Sequence, residues 1–184
     1  MDLVCPKCGS TKILPITYAA KTDESIDISQ KCAYKCKACK QEFGTVCGKS
    51  LYTTIVQSLS VEINRPYSFQ DSFELKISTH EKGAKYRLAK KDGTSEFKGF
   101  ITKEEWDSIC DSLFNEIFLT GWHGVFYNSE IIDGTIWNID VKLKKKHSLS
   151  YHGCNGYPPY WNQMIALIGS ILSNNGIDQD KYKV

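Results

Sequence analysis

Two short cysteine pairs, Cys5-Pro6-Lys7-Cys8 and Cys36-Lys37-Ala38-Cys39, carry the clearest chemistry in this chain. A C-x-x-C turn brings two sulfurs to one side of a tight loop, where neighbouring backbone N–H groups can support thiolate charge. Two such turns together make a closed tetrahedral set, the arrangement of one structural Zn²⁺; a catalytic zinc keeps a position open for water. Six of the eight cysteines fall within the first 47 residues, and only Cys110 and Cys154 serve the remainder. Met1-Asp2-Leu3-Val4 runs into Cys5 with no apolar signal segment. That distribution fits a metal site in a reducing compartment better than a disulfide framework, so a cytoplasmic protein is expected. Cys32 and Cys47 are spare thiols near the pairs. Either could substitute as a ligand, but Cys32 reads more simply as a small apolar residue on a strand face.

The other residues with chemical potential form weaker patterns. Cys154 as nucleophile, His152 or His123 as base and Asn155 as orienting group make the sharpest enzymatic reading. No family-specific cysteine signature surrounds them, and an incidental packed cysteine is the favoured account. His80, His123, His147 and His152 lack the spacing of a second metal site. No phosphate-binding glycine loop, dinucleotide fingerprint or G-x-S-x-G nucleophile elbow occurs.

The segment between the cysteine pairs has room for a hairpin. Thr11 to Ala20 supplies one candidate strand and Lys21 to Glu24 a polar turn. Ile26, Ile28, Cys32 and Tyr34 then alternate along a returning strand. The sequence CPKCGS, a hairpin, then YKCKACKQEFG resembles the zinc-ribbon superfamily over roughly the first quarter of the chain. The resemblance implies Cys5, Cys8, Cys36 and Cys39 as ligands, with Tyr34 and Phe43 packed against the site. Lys40 stands where many ribbons carry a glycine.

A ribbon hairpin commonly meets nucleic acid or protein. Lys31, Lys35, Lys37 and Lys40 around Tyr34 suggest phosphate contacts and base stacking. Against this, no arginine precedes Arg65, and lysines also serve simply to solvate a small domain. Four thiolates around one Zn²⁺ add two negative charges, so the excess of 8 lysines over 5 acids in residues 1–50 nearly vanishes. The remainder is balanced, with 15 basic and 16 acidic residues. Lys144, Lys145 and Lys146 form a second basic run, either a phosphate patch or a solvated hairpin tip.

These residues must be positioned by a ribbon over 1–48 and an α+β domain over 49–184. Leu51 to Ile63 fits either helix or strand periodicity, and Asn64-Arg65-Pro66 breaks it. Phe73, Leu75 and Ile77, then Tyr86 and Leu88, then Phe97 and Phe100 describe an antiparallel meander with turns at His80 to Gly83 and Lys91 to Thr94. Thr102 with Glu105 is a capping box, and Ile101 can staple onto Trp106, opening a helix expected to run over 102–118. Val125 to Tyr127, Trp137 to Leu143 and Leu149 to Tyr151 suggest further strands, with a turn at Asp133-Gly134. A second helix is expected over 159–174, stopped by Asn175-Gly176. Strands followed by a helix, twice, predict an antiparallel sheet with both helices on one face. The stretch from Asp133 to Trp161, with Trp137, Gly153, Asn155, Tyr157 and Pro158, is similar to a tail of uncharacterised bacterial proteins.

The longest apolar run, near Ile165 to Leu172, is too short to span a bilayer. The expectation is therefore a non-enzymatic interaction protein with one structural Zn²⁺. A protein partner, in a regulatory or inhibitory role, is favoured over nucleic acid bound by the basic hairpin. A cysteine-dependent enzyme is the remaining alternative.

Overall fold

The computed structural model describes residues 3–16, 32–44, 54–122, 124–130 and 134–184. The first sheet is small and antiparallel, with β2 (Tyr34–Cys36) between β1 (Ile13–Pro15) and β3 (Glu42–Phe43). Ile13 pairs with Cys36, and Tyr34 pairs with Phe43. The remainder of the expected first strand beyond residue 16, the Lys21 to Glu24 turn and the Ile26 and Ile28 alternation lie outside the described residues. So does the expected boundary at 48/49.

The larger domain is a seven-stranded sheet of β4 (Val56–Asn64), β5 (Phe73–His80), β6 (Gly83–Lys90), β7 (Glu96–Thr102), β8 (Val125–Tyr127), β9 (Ile136–Leu143) and β10 (Ser148–Cys154). Their order is β7-β6-β5-β4-β9-β10-β8. The ambiguous segment before Asn64 is strand from Val56 onward, as its alternation and β-branched residues favour. Pairing of β4 with β9 joins the two halves of the domain. The antiparallel expectation holds except at one edge, where β8 runs parallel to β10. There β10 lies between β8 and β9, so these two consecutive strands are not paired with each other.

One face of this sheet is apolar. Leu59, Val61, Ile63, Phe73, Leu75, Ile77, Leu88, Trp137, Ile139 and Val141 are buried on it. The helices α1 (Lys103–Asn115), α2 (Trp161–Leu167) and α3 (Gly169–Asn174) join the same core through Trp106, Leu113, Phe114, Trp161, Ile165 and Leu172. Their burial removes a large apolar area from water, at about 25 cal/mol per Å². The indole N–H groups of all four tryptophans are satisfied: Trp106 donates to the Thr79 hydroxyl, Trp122 to the Ile117 carbonyl, Trp137 to that of Gly156 and Trp161 to that of Tyr182.

The α1 capping box is present in both directions, with the Thr102 hydroxyl accepting from Glu105 N–H and the Glu105 carboxylate accepting from Thr102 N–H. The helix ends at Asn115 rather than 118, because Phe118 adopts a left-handed φ of 54°. The single second helix expected over 159–174 is instead α2 followed by α3. Ile168, at φ −96° and ψ 1°, breaks it immediately before Gly169-Ser170, a pair that holds helical geometry poorly. Within the tail stretch, Gly153 lies opposite Trp137 in register. A Cβ there would sit 2.4 Å from the indole ring, which accounts for the pairing of glycine with tryptophan.

The opposite face of the sheet carries Ser58, Ser60, Lys76, Ser78, Lys85, Arg87, Asp140 and Ser150, all at least partly exposed. No helix is packed on it among the described residues.

Candidate metal centre

The Sγ atoms of Cys5, Cys8, Cys36 and Cys39 all lie within 4.8 Å of one another, a group that can hold a metal ion. Cys5 and Cys39 are 3.6 Å apart and Cys8 and Cys36 are 3.7 Å apart, sulfur to sulfur. A tetrahedron with metal–sulfur bonds of about 2.3 Å has edges of about 3.8 Å. The donor set therefore fits a tetrahedral thiophilic cation, and none of the four is in a disulfide.

The two knuckles share one backbone pattern. The Gly9 N–H donates to the Cys5 carbonyl at 2.8 Å, and the Lys40 N–H donates to the Cys36 carbonyl at 3.0 Å. Cys5 N–H reaches the Ser10 carbonyl at 2.9 Å, and Cys36 N–H reaches that of Gln41 at 2.8 Å. Gly9 has φ 68° and Lys40 has φ 65°, so the lysine adopts the left-handed conformation that glycine takes freely. In each knuckle the first cysteine is buried and the second is more open. The halves are thus related by an approximate two-fold, and the lysine leaves the second turn's geometry intact at a cost of about 1–2 kcal/mol.

Without a cation, the Cys5 and Cys36 thiols differ. Backbone N–H groups, first that of Cys39 and also that of Ala38, pull the Cys36 thiol down to about 6. Burial pushes the Cys5 thiol up to about 12. A bound cation's charge favours the thiolate form at Cys5 against the effect of burial.

The larger domain helps build this centre. Cys5, Cys36 and Phe43 share a buried cluster with Phe118, from the segment after α1. The Phe118 ring meets those of Phe43 at 5.2 Å, Tyr34 at 6.3 Å and Tyr160 at 5.4 Å, each nearly edge to face. Tyr160 also holds the chain just before the first knuckle: its hydroxyl accepts from the Val4 N–H and donates to the Val4 carbonyl. Pro6 packs on Gly121, where a Cβ would lie 2.5 Å from its Cγ. Phe118 and Tyr160 both have positive φ, 54° and 70°. These strained aromatic residues both grip the small sheet, and tertiary packing over-determines their conformation. Sequence patterns gave no signal for Phe118 or Tyr160 in this role.

The remaining predicted site residues are dispersed. Tyr34 faces Phe43, Phe118 and Gly44, so packing occupies the ring that base stacking on the ribbon would use. Lys35 is exposed and pairs with Glu42 at 2.9 Å. Lys37 is exposed, and Lys40 Nζ bonds the Lys37 carbonyl at 3.0 Å. Lys31 and Cys47 lie outside the described residues. Cys32 is half-buried and outside the four-sulfur group; burial, then the Glu42 charge, raises its thiol. Lys144, Lys145 and Lys146 are exposed on the β9–β10 turn, the last two with φ 60° and 62°.

Cys154 and His152 share one face of β10, with no hydrogen bond joining them. Asn155 instead is buried and turned by a φ of 57°, its N–H donating to the Thr135 carbonyl at 3.0 Å. His123 lies outside the described residues. Cys110 is fully buried, and burial pushes its thiol up to about 12, as for an inert core cysteine.

No helix among the described residues is long and apolar enough to cross a membrane. Comparison with protein-family models, with curated proteins and with solved structures gave no match. The likeness to a zinc ribbon accordingly rests on the four-sulfur group, the paired knuckles and the three-stranded sheet.

Proposed function

We propose that the chain is a non-enzymatic interaction protein in which Cys5, Cys8, Cys36 and Cys39 hold one structural Zn²⁺. The observation that carries this reading is the closed set of four sulfurs, at tetrahedral spacing, packed through Phe43 against Phe118 of the larger domain. Four thiolates complete the coordination shell and leave no position for water or substrate. Among the described residues the small sheet contributes few buried side chains, so metal binding supplies its folding energy. The docked ribbon then fixes the first residues of the chain and the segment after α1.

The protein-partner surface is the β8 edge of the seven-stranded sheet. A protein partner finds matching chemistry at the corner where exposed Tyr127 and Ile136 flank Cys154 in register, with exposed Val125 two residues before Tyr127 on β8. A regulatory or inhibitory role would follow from occupying that partner.

Cobalt substitution tests the metal reading. Co²⁺ bound by four thiolates gives intense visible ligand-field bands and strong ultraviolet charge-transfer bands. A closed site leaves them unchanged when a small exogenous ligand such as cyanide or azide is added at modest concentration. A spectrum that shifts on ligand addition would show an open position and contradict a purely structural metal.

A further inference from the structure

The open sheet face is chemically polarised along its strands. Register pairs Phe100 with Lys85, Lys85 with Ser78, Ser78 with Ser58, Ser58 with Lys142, and Lys142 with Ser148. These side chains form one lane across β7, β6, β5, β4, β9 and β10, about 24 Å long at the usual spacing of about 4.8 Å. It contains no carboxylate. The adjacent lane carries Lys98, Arg87, Lys76 and Ser60, then Asp140, which accepts from the Ser150 hydroxyl, and the β9–β10 turn sets Lys144 to Lys146 at the same end of the sheet. The face's glutamates, Glu62, Glu74 and Glu96, stand in register farther along the strands.

Phe100 is 50% exposed at one end of the lane, and the His80 ring stands edge-on to it at 6.0 Å. Beside it, Lys76, Lys85, Arg87 and Lys98 line a shallow groove of about 610 Å³. Lys76 and Arg87 pair with Glu74, and Arg87 and Lys98 pair with Glu96. Lys85 has no carboxylate partner among the described residues. The groove thus keeps an excess of positive charge around a half-exposed aromatic ring.

We propose that this lane binds single-stranded nucleic acid, with a base stacked on Phe100 and phosphates met by Lys85, Lys98 and Lys142. The match is one of chemistry: a lane of cations and small hydroxyls tracks a phosphate backbone, and an exposed ring accepts the face of any base. An acidic protein surface would meet the same charge. Among the described residues it would find one large exposed apolar anchor on this lane, Phe100, whereas a protein interface has an apolar centre depleted of charge. A duplex cannot present its stacked bases to Phe100. This inference goes beyond the proposed protein-binding role and does not depend on the metal being zinc.

Fluorescence anisotropy of the full zinc-loaded chain with a labelled oligothymidylate tests it, across a salt series. Expected is binding at low salt that duplex DNA and polyglutamate do not match. Phe100→Ala should weaken it about tenfold with an unchanged salt slope, and Lys85→Ala should lower the slope of log K against log salt by about 0.7. Both side chains are exposed, and circular dichroism checks that the variants stay folded. No binding at low salt, equal binding of duplex, equal competition by polyglutamate, or indifference to both substitutions would overturn the proposal. So would loss of binding on neutralising Lys35 and Lys37 alone, which would move the contact to the ribbon.

Discussion

The Tyr160 hydroxyl engages both backbone polar groups of Val4, accepting from its N–H at 2.9 Å and donating to its carbonyl at 2.7 Å. One side chain from the last third of the chain thereby fixes the segment that leads into Cys5. The same ring packs on Phe118, which packs on Phe43 beside the four sulfurs. Metal centre and larger domain are therefore mechanically continuous.

Tyr160→Phe removes both hydrogen bonds and leaves the ring. At about 0.5–1.5 kcal/mol for each bond, the variant should lose about 1–3 kcal/mol of docking stability. Hydrogen exchange should quicken in residues 3–16 and 32–44 and stay unchanged in β4 and β5. Unchanged exchange around the knuckles would show that the clamp carries no energy.

Lys40→Gly relieves a left-handed backbone at the second knuckle, where φ is 65°. The relief, partly offset by the greater freedom of glycine in the unfolded chain, should stabilise the metal-bound form by about 0.5–1 kcal/mol. Competition with a chromophoric chelator should show metal held two- to fivefold more tightly, the equivalent of about that energy. Weaker retention would mean that the Lys40 side chain, through its bond to the Lys37 carbonyl, matters more than the strain.

Gly121→Val places side-chain atoms where Pro6 already lies, since even a Cβ would stand 2.5 Å from the Pro6 Cγ. Overpacking of this kind costs about 1–3 kcal/mol. Thermal unfolding should show a lower midpoint for the ribbon, read by metal release, ahead of the larger domain. A single unchanged transition would place the contact outside the stabilising set.

Asp71 ties the C-terminal turn to the β4–β5 connection. The Lys181 ammonium at 2.8 Å, then the Ser68 hydroxyl at 2.7 Å, hold its carboxyl below the usual range. A carboxyl depressed in the folded state contributes stability that is present above its unfolded value, about pH 4, and is lost as pH falls through the folded value. Lys181 is half exposed, so solvent screening keeps the contribution to about 0.5–1 kcal/mol. Asp71→Asn should therefore narrow the gap to the parent protein as denaturant titrations move from neutral to acid pH. A gap that widens in acid would reverse the sign.

Much of this architecture was legible where local chemistry decides it. The cysteine spacing announced the four-sulfur group, Thr102 and Glu105 announced the start of α1, and alternation from Phe73 to Ile77 and from Trp137 to Leu143 announced β5 and β9. The docking was not legible, because Val4 and Tyr160 stand 156 positions apart and neither belongs to a periodic pattern. Phe118 read as a helix continuation, yet its ring is drawn to Phe43 and its backbone turns left-handed to follow. The parallel pairing of β8 depends on where the chain crosses the sheet, which three residues cannot encode. The lane from Phe100 to Ser148 needs the register of six strands before its lysines become neighbours.

The decisive measurement is metal content of the purified chain and of Cys36→Ser under reducing conditions, combined with hydrogen exchange of residues 32–44. The expected result is one zinc per chain, lost in the variant together with protection of the ribbon, while the seven-stranded sheet stays protected. Full metal retention by Cys36→Ser, or a ribbon that stays protected after complete removal of the metal, would contradict a four-cysteine site that folds this part of the protein.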